Sequence, residues 1–249
     1  MQLRKLLRYG YRSLTGEPHE KRDFSFYVMN QLAKWLDMRI YNKHTNWQDD
    51  RDFLAVMRRF DPRYPRIKER QFFLYNLARS LRHLPGETAE CGALGGASSH
   101  VIMSAFEDDR PHHIFDSFSG LSEPTEHDKP ETTEVRALQA GEFASPLEAT
   151  RRNLAEHPHA VFYKGWIPER FDEVADKQFC LVSVDVDFYE PTRDSVLFFF
   201  PRLVAGGALV CDDYGFSTCP GAKKAMDEAA ESLGRKVIHV PTGQGLILK

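Results

Sequence analysis

From Gly86 to the end of the chain, short apolar runs alternate with helical ones, a pattern that builds an α/β protein with a mostly parallel, doubly wound sheet. Before His83 the apolar residues instead recur at three- and four-residue steps, which predicts a helical extension ahead of the sheet. The 249 residues suffice for one large α/β domain or for a core with an extension. The change of periodicity at Gly86 selects the second arrangement, with residues 1–85 as the extension and residues 86–249 as the sheet domain.

In the extension, Phe24, Tyr27, Val28, Leu32, Trp35 and Leu36 trace one face of a first helix, the face expected to be buried. A second helix is predicted over Asp50–Phe60, ending before Pro62. A third opens after Pro65 and carries Phe72, Phe73, Asn76, Leu77 and Leu81 to a stop at Pro85 and Gly86. Strands are expected near Thr88–Cys91, His112–Phe115, Ala160–Tyr163, Phe179–Val184, Ala208–Cys211, Lys236–Val240 and Gly245–Leu248. Helices are expected near Ser98–Phe106, Pro146–Ala155, Thr192–Leu203 and Ala222–Ser232. In such a sheet the ligand lies beyond the carboxyl ends of the strands, where the strand order reverses, so the residues directly after each strand decide the chemistry.

Composition excludes several classes. With 42% hydrophobic and 28% charged residues the chain is neither disordered, collagen-like nor a coiled coil. A net charge of −3 gives no reason to expect nucleic acid bound by phosphate neutralisation. Cys91, Cys180, Cys211 and Cys219 lack metal or dithiol spacing and read as reduced, buried thiols of a cytoplasmic protein. The most apolar stretch, Val196–Cys211, is interrupted by Pro201, Arg202 and two glycines and is too short to span a membrane. The N-terminal Met1–Gly10 is basic and reads as an ordinary terminal helix, with weak membrane-surface contact as the alternative. Symmetric oligomers are common and the extension is apolar, so a homo-oligomer is expected.

Four sites after strands carry candidate chemistry. Glu90–Ser98 (ECGALGGAS) places small residues where a helix opens, which lets backbone approach a ligand closely, although the spacing is not the dinucleotide G-x-G-x-x-G. Asp116, at the end of the second strand, is placed to accept both hydroxyl hydrogens of a ribose. Asp185 and the Asp212-Asp213 pair follow two neighbouring strands, and three carboxylates that close repel unless a cation joins them. All-oxygen ligation points to a hard ion such as Mg²⁺, Ca²⁺ or Mn²⁺. Asp187 shares a face with Asp185 if the strand extends that far. His127, in an acidic loop, is a further candidate proton acceptor.

Six blocks in order then resemble one family: Gly86–Gly92 (GETAECG) with Gly95 and Gly96, Phe115–Thr125 (FDSFSGLSEPT), Gly165–Pro168 (GWIP), Asp185–Thr192 (DVDFYEPT), Pro201–Gly207 (PRLVAGG), and Asp212–Gly215 (DDYG) with Gly221–Glu228 (GAKKAMDE). From Gly86 to Lys249 the chain resembles the macrocin O-methyltransferases, which use S-adenosylmethionine. The resemblance implies a Rossmann-like seven-stranded sheet with an antiparallel last strand, a divalent metal, usually Mg²⁺, and a sugar hydroxyl of a small molecule or glycan as acceptor. It implies that Glu90 and Gly92 flank the methionine end of the cofactor and that Asp116 holds its ribose, with Gly95, Ser117 and Phe118 completing that set. Asp185, Asp212 and Asp213 would hold the metal, and Asp185 or Asp187 would take the acceptor proton. Ala93 and Leu94 replace bulkier, often basic residues of the family, and Pro191 stands where Ser or Thr is common. Two other readings compete: a glycosyltransferase using Asp185-Val186-Asp187 as a D-x-D motif, which leaves the glycine turn and Asp116 unexplained, and a non-catalytic cofactor-binding module, which has no need of the acids.

Overall fold

The computed structural model describes residues 10–11, 18–38, 46–60 and 67–249. The N-terminal basic segment up to Tyr9, and Pro62 and Pro65, lie outside the described residues. Two compact units divide the chain, Met1–Leu54 and Ala55–Lys249. In the first, helix α1 (Pro18–Ala33) passes into a 3₁₀ turn at Lys34–Leu36. The predicted buried face differs here: Phe26 and Ala33 are buried, whereas Leu32, Trp35 and Leu36 are exposed. A 3₁₀ turn has three residues per turn, so Trp35 and Leu36 leave the face that the α-helical spacing assigns them. Helix α2 (Arg51–Arg59) is capped by Asp50, whose carboxylate accepts the Phe53 N–H at 2.9 Å.

The second unit holds helix α3 (Lys68–Ser80) and then the alternation: β1 (Glu87–Cys91), α4 (Ala97–Phe106), β2 (His112–Asp116), α5 (Leu147–Asn153), β3 (Ala160–Lys164), β4 (Phe179–Val184), α6 (Tyr189–Phe199), β5 (Leu203–Cys211), α7 (Pro220–Ser232), β6 (Ile238–His239) and β7 (Gly245–Leu248). The seven strands form one sheet in the order β3-β2-β1-β4-β5-β7-β6, with β7 antiparallel to both β5 and β6 and the other pairings parallel. Strand order therefore reverses between β1 and β4, as a doubly wound sheet requires.

Strand periodicity sorts side chains onto the two faces. Ala89, Cys91, Phe115, Val182, Val184, Leu209 and Cys211 join Val196, Phe199, Ala222 and Met226 of α6 and α7 in one buried cluster. On the opposite face Ile114 packs with Met103 of α4 and with Leu154. β4 (FCLVSV) is buried at every position, which is why it reads as a continuous apolar run rather than an alternating one.

The largest boundary changes surround Pro201. The helix expected over Thr192–Leu203 starts at Tyr189 and gives way to a 3₁₀ turn at Phe200–Arg202, because Pro201 cannot continue an α-helix. Leu203 opens β5, of which the predicted Ala208–Cys211 is the inner half. In α3 the buried side chains are Arg70, Gln71, Leu74, Tyr75 and Ala78. This face is displaced from the predicted Phe72, Phe73, Asn76 and Leu77, because two polar residues take inward positions.

Behind β1 and α4 lies a buried polar chain. His112, fully buried, has Nδ1 2.8 Å from Thr88 Oγ1 and Nε2 3.1 Å from Ser99 Oγ, and Ser99 Oγ donates to the Glu90 carboxyl. Burial pushes His112 down to about 3 from an ordinary 6.5. Its unfolded form therefore binds a proton that the folded form excludes. The resulting stability is complete above the unfolded value and is lost as pH falls from roughly 6.5 towards 3. Because buried carboxyls such as Glu90 shift stability the opposite way over the same range, the test is a difference: in urea unfolding between pH 7 and 5, His112→Asn should gain on the wild type by up to about 1.4 kcal/mol per pH unit as pH falls.

Candidate active site

The carboxyl ends of β1, β2, β4 and β5 finish level. Gly92 N–H donates to the Phe115 carbonyl, Asp185 N–H to the Cys91 carbonyl and Asp212 N–H to the Val184 carbonyl, each at 2.8 Å, so the ladder continues one residue past each strand. Above this edge lies a cavity of about 680 Å³. One wall holds Gly92, Ala93, Leu94, Gly95, Asp116 and Ser117. The other holds Asp185, Asp187, Asp212 and Asp213, and the rim carries Phe143, Trp166 and Phe216.

The two walls touch at Gly92. Its φ of +81° is left-handed, and a Cβ placed there would sit 1.8 Å from the Asp185 carbonyl oxygen. Both the conformation and the approach require glycine. Asp116 then fastens the turn: Oδ2 accepts the N–H groups of Ala93 at 2.7 Å and Leu94 at 3.2 Å, while Oδ1 accepts that of Phe118 at 2.6 Å.

Of the residues expected at the cofactor, Gly92, Gly95, Asp116 and Ser117 line the cavity. Glu90 and Phe118 are buried beside it and are not part of its lining. The Glu90 carboxyl lies under the turn, accepting from Ser99, and burial raises it from 4.5 to about 8, so it is protonated at neutral pH. Ser117 Oγ donates to the Gly120 carbonyl and accepts the Ser119 N–H, which folds the loop after β2.

On the second wall, carboxylate oxygens of Asp185, Asp212 and Asp213 lie within 4.8 Å of one another. Asp187, Asp213 and Cys219 form a second such group. Burial, then the charges of Asp212, Asp213, Asp187 and Glu90, push the Asp185 carboxyl well above its usual range. Asp213 is raised in the same way, by burial and then by Asp187 and Asp212. Asp187 is raised to about 6, chiefly by burial. Asp187 does not extend β4, which stops at Val184: its φ is +59°, and its N–H donates to Asp213 Oδ2 at 2.9 Å. It therefore reaches the cavity from a turn rather than through the strand alternation that would place it beside Asp185. His127 packs at a tilt against Tyr189, with ring centroids 4.3 Å apart, and does not line the cavity.

Two partners of Asp212 and one further cavity-lining residue carry no sequence signal. Arg70 of α3, 5% exposed, approaches Asp212 Oδ2 to 2.6 Å through Nη2 and lies 4.2 Å from the Phe216 ring centroid. Gln244 Nε2 donates to Asp212 Oδ1 at 2.7 Å. Gln71 Nε2 donates to Ser98 Oγ at 3.0 Å, tying α3 to the start of α4. A run of hard oxygen donors with one cation against it suits a divalent metal of the Mg²⁺ class, and the residues present fit one.

The fold is that of the Rossmann-like methyltransferases. It aligns with the calicheamicin methyltransferase CalS11 at a TM-score of 0.60 and 18% identity, covering 93% of each chain. It aligns with the O-methyltransferase NovP at 0.57 and 21% identity, covering 72% of this chain and 79% of the other. Residues 72–240 match the macrocin-O-methyltransferase (TylF) family, and the chain belongs to it. Among curated relatives, 8-demethyl-8-(2,3-dimethoxy-alpha-L-rhamnosyl)-tetracenomycin-C 4'-O-methyltransferase of Streptomyces olivaceus is 29% identical over 56% of this chain and 57% of its own. Mycinamicin III 3''-O-methyltransferase of Micromonospora griseorubida is 26% identical over 55% of this chain and 58% of its own. The matched segment thus spans less than two thirds of the length of these relatives.

Two outcomes test this geometry. Gly92→Ala should lose at least roughly 2 kcal/mol in chemical unfolding, since it adds a left-handed strain to a backbone collision. Arg70→Met, measured in EDTA, should lose roughly 3 kcal/mol by leaving Asp212 without its cation. Adding Asp212→Asn to the same chain should restore part of that loss in a double-mutant cycle.

Proposed function

We propose that this protein is an S-adenosylmethionine-dependent O-methyltransferase that uses a divalent metal, Mg²⁺ foremost, and methylates a sugar hydroxyl on a natural product or glycan. The observation that carries the reading is the cavity at the β1/β4 switch point, with a glycine turn and Asp116 on one wall and converging carboxylates on the other. Family membership and the relatives' names, which specify sugar or natural-product O-methylation, support the acceptor class.

In this reading the glycine turn and the first N–H groups of α4 receive the methionine end of the cofactor, and Asp116, whose oxygens keep acceptor capacity, receives the ribose diol. Glu90 and Phe118 act from beneath, holding the turn and the loop after β2. S-adenosylmethionine supplies an electrophilic methyl group, and a bound divalent cation orients and acidifies the acceptor hydroxyl. Asp185, Asp212 and Asp213 would hold the cation. Asp185 or Asp187, both on the cavity wall, would take the acceptor proton. Phe143, Trp166 and Phe216 narrow the rim and keep water from the reacting atoms. Residues 1–85 are assigned as an extension serving as lid or oligomer interface, with α3 lending Arg70 and Gln71 to the cavity of the 86–249 domain. The protein is assigned to the cytoplasm; among the described residues no helix is long and apolar enough to cross a membrane.

Calorimetric titration and thermal shift separate this from the alternatives. S-adenosylmethionine should bind and stabilise the protein, and Asp116→Ala should weaken that binding at least about tenfold, or 1.4 kcal/mol. Asp212→Asn and Asp213→Asn should lose Mg²⁺ binding while keeping S-adenosylmethionine. Stabilisation by uridine diphosphate sugars without any by S-adenosylmethionine would instead establish the glycosyltransferase reading.

A further inference from the structure

A second set of ligand-bearing side chains lies outside the cavity. His100 is on α4, and Glu156 and His157 lie between α5 and β3. His100 Nδ1 is 2.9 Å from His157 Nε2 and 3.3 Å from Glu156 Oε1, and His157 Nε2 is 3.9 Å from the same Oε1. These three atoms enclose one point. Ligands of a tetrahedral zinc ion, with bonds of about 2.0–2.1 Å, stand about 3.3 Å apart, so the observed spacings bracket the requirement and need shifts of only a few tenths of an ångström.

The surroundings are those of a metal-ligating histidine. His100 Nε2 lies 2.9 Å from the Val56 carbonyl of α2, an acceptor only, so Nε2 carries the proton and Nδ1 presents its lone pair to the cluster. A ring N–H held by a backbone carbonyl is the arrangement that fixes the tautomer and orientation of a metal-bound imidazole. The His100 side chain is 1% exposed and His157 9%, while Glu156 is 39% exposed and opens the cluster to solvent. Glu156 Oε2 is engaged by Arg59 Nη1 at 3.5 Å, which leaves Oε1 turned to the imidazoles. Two imidazoles and one carboxylate suit Zn²⁺ and its transition-metal neighbours and not Mg²⁺, which prefers an all-oxygen octahedron.

The geometry points to a zinc-class metal site formed by His100 Nδ1, His157 Nε2 and Glu156 Oε1, with its fourth position open to solvent. On binding, the proton shared between the two rings leaves that contact and His157 carries its proton on Nδ1, so both imidazoles ligate in the neutral form. The ion would join α4 to the α5–β3 turn. His100 stands one helical turn beyond Ala97 and Ser98, which line the cavity.

The test uses the full chain and Zn²⁺ itself. After exchange into buffer with excess Mg²⁺, elemental analysis should find one retained equivalent of zinc, and Co²⁺ in its place should give the visible bands of a tetrahedral site. His157→Ala and Glu156→Gln should weaken Zn²⁺ binding by at least the roughly 10–100-fold that even an outer-sphere change costs. Asp213→Asn, at the acidic rim, should retain the equivalent. Glu156 is exposed enough that its variant will fold. The proposal is overturned if the wild-type chain retains no zinc, if Mg²⁺ displaces it, or if both cluster variants keep their equivalent. Loss of the zinc in Asp213→Asn alone would likewise assign the ion to the rim.

Discussion

The packing of the Gly92 Cα against the Asp185 carbonyl holds the site together. At 1.8 Å from that oxygen a Cβ has no place, so the turn after β1 and the turn after β4 can be this close only if one residue has no side chain. The same approach lets β1 and β4 keep their ladder to the last residue, with Asp185 N–H donating to Cys91. It also brings the two functions of the edge within one cavity. In the proposed function the glycine turn would receive the cofactor and the acidic rim the acceptor, and only at the switch point could the two serve one reacting pair.

That closeness has an electrostatic cost, and the helical extension meets part of it. Asp185 and Asp213 leave water on the same strand edge, and the neighbouring carboxylates add to burial in raising the proton affinity of both. Gln244 and the Asp187 N–H supply hydrogen bonds, but the only formal charge opposing them at bonding distance among the described residues is Arg70. Its guanidinium is held between Asp212 and the Phe216 ring, which fixes a planar cation where a compact ammonium would be less constrained. Arg70 lies just outside the family-matched segment, so the rim's charge balance draws on a helix peripheral to the sheet.

The parts legible in the sequence are those whose physics is local. A parallel strand buried on both faces must be a continuous apolar run, so β4 could be read to the residue, and glycines at a strand-to-helix turn are visible because no other residue can take their conformation. Acids directly after strands stand out for the same reason. Arg70 and Gln71 were illegible because helical periodicity assigns polar residues to the solvent face, and here the inward face is polar where it meets the cavity. The condition that Asp187 share a strand face with Asp185 is not met, because the alternation rule holds only while the strand lasts; β4 ends at Val184, and Asp187, itself left-handed, reaches the same cavity from a turn. Gln244 carries no pattern at all; its contact with Asp212 exists because the antiparallel β7 returns beside β5.

Tertiary pairing of residues distant in sequence also explains why the histidine cluster has no motif. His100 and His157 are 57 positions apart and meet because α5 ends beside α4. The cluster and the acidic rim offer opposite ligand chemistries, imidazole with one carboxylate against carboxylates alone, so Zn²⁺ and Mg²⁺ would partition between them by softness and coordination number rather than by raw affinity. Helix α4 connects the two, with Ala97 and Ser98 at the cavity and His100 in the cluster. An ion that clamps His100 to the α5–β3 turn therefore restrains the helix whose first turn faces the cavity. In this chain such a restraint would act on the same wall that Gly92 and Asp116 already hold in place.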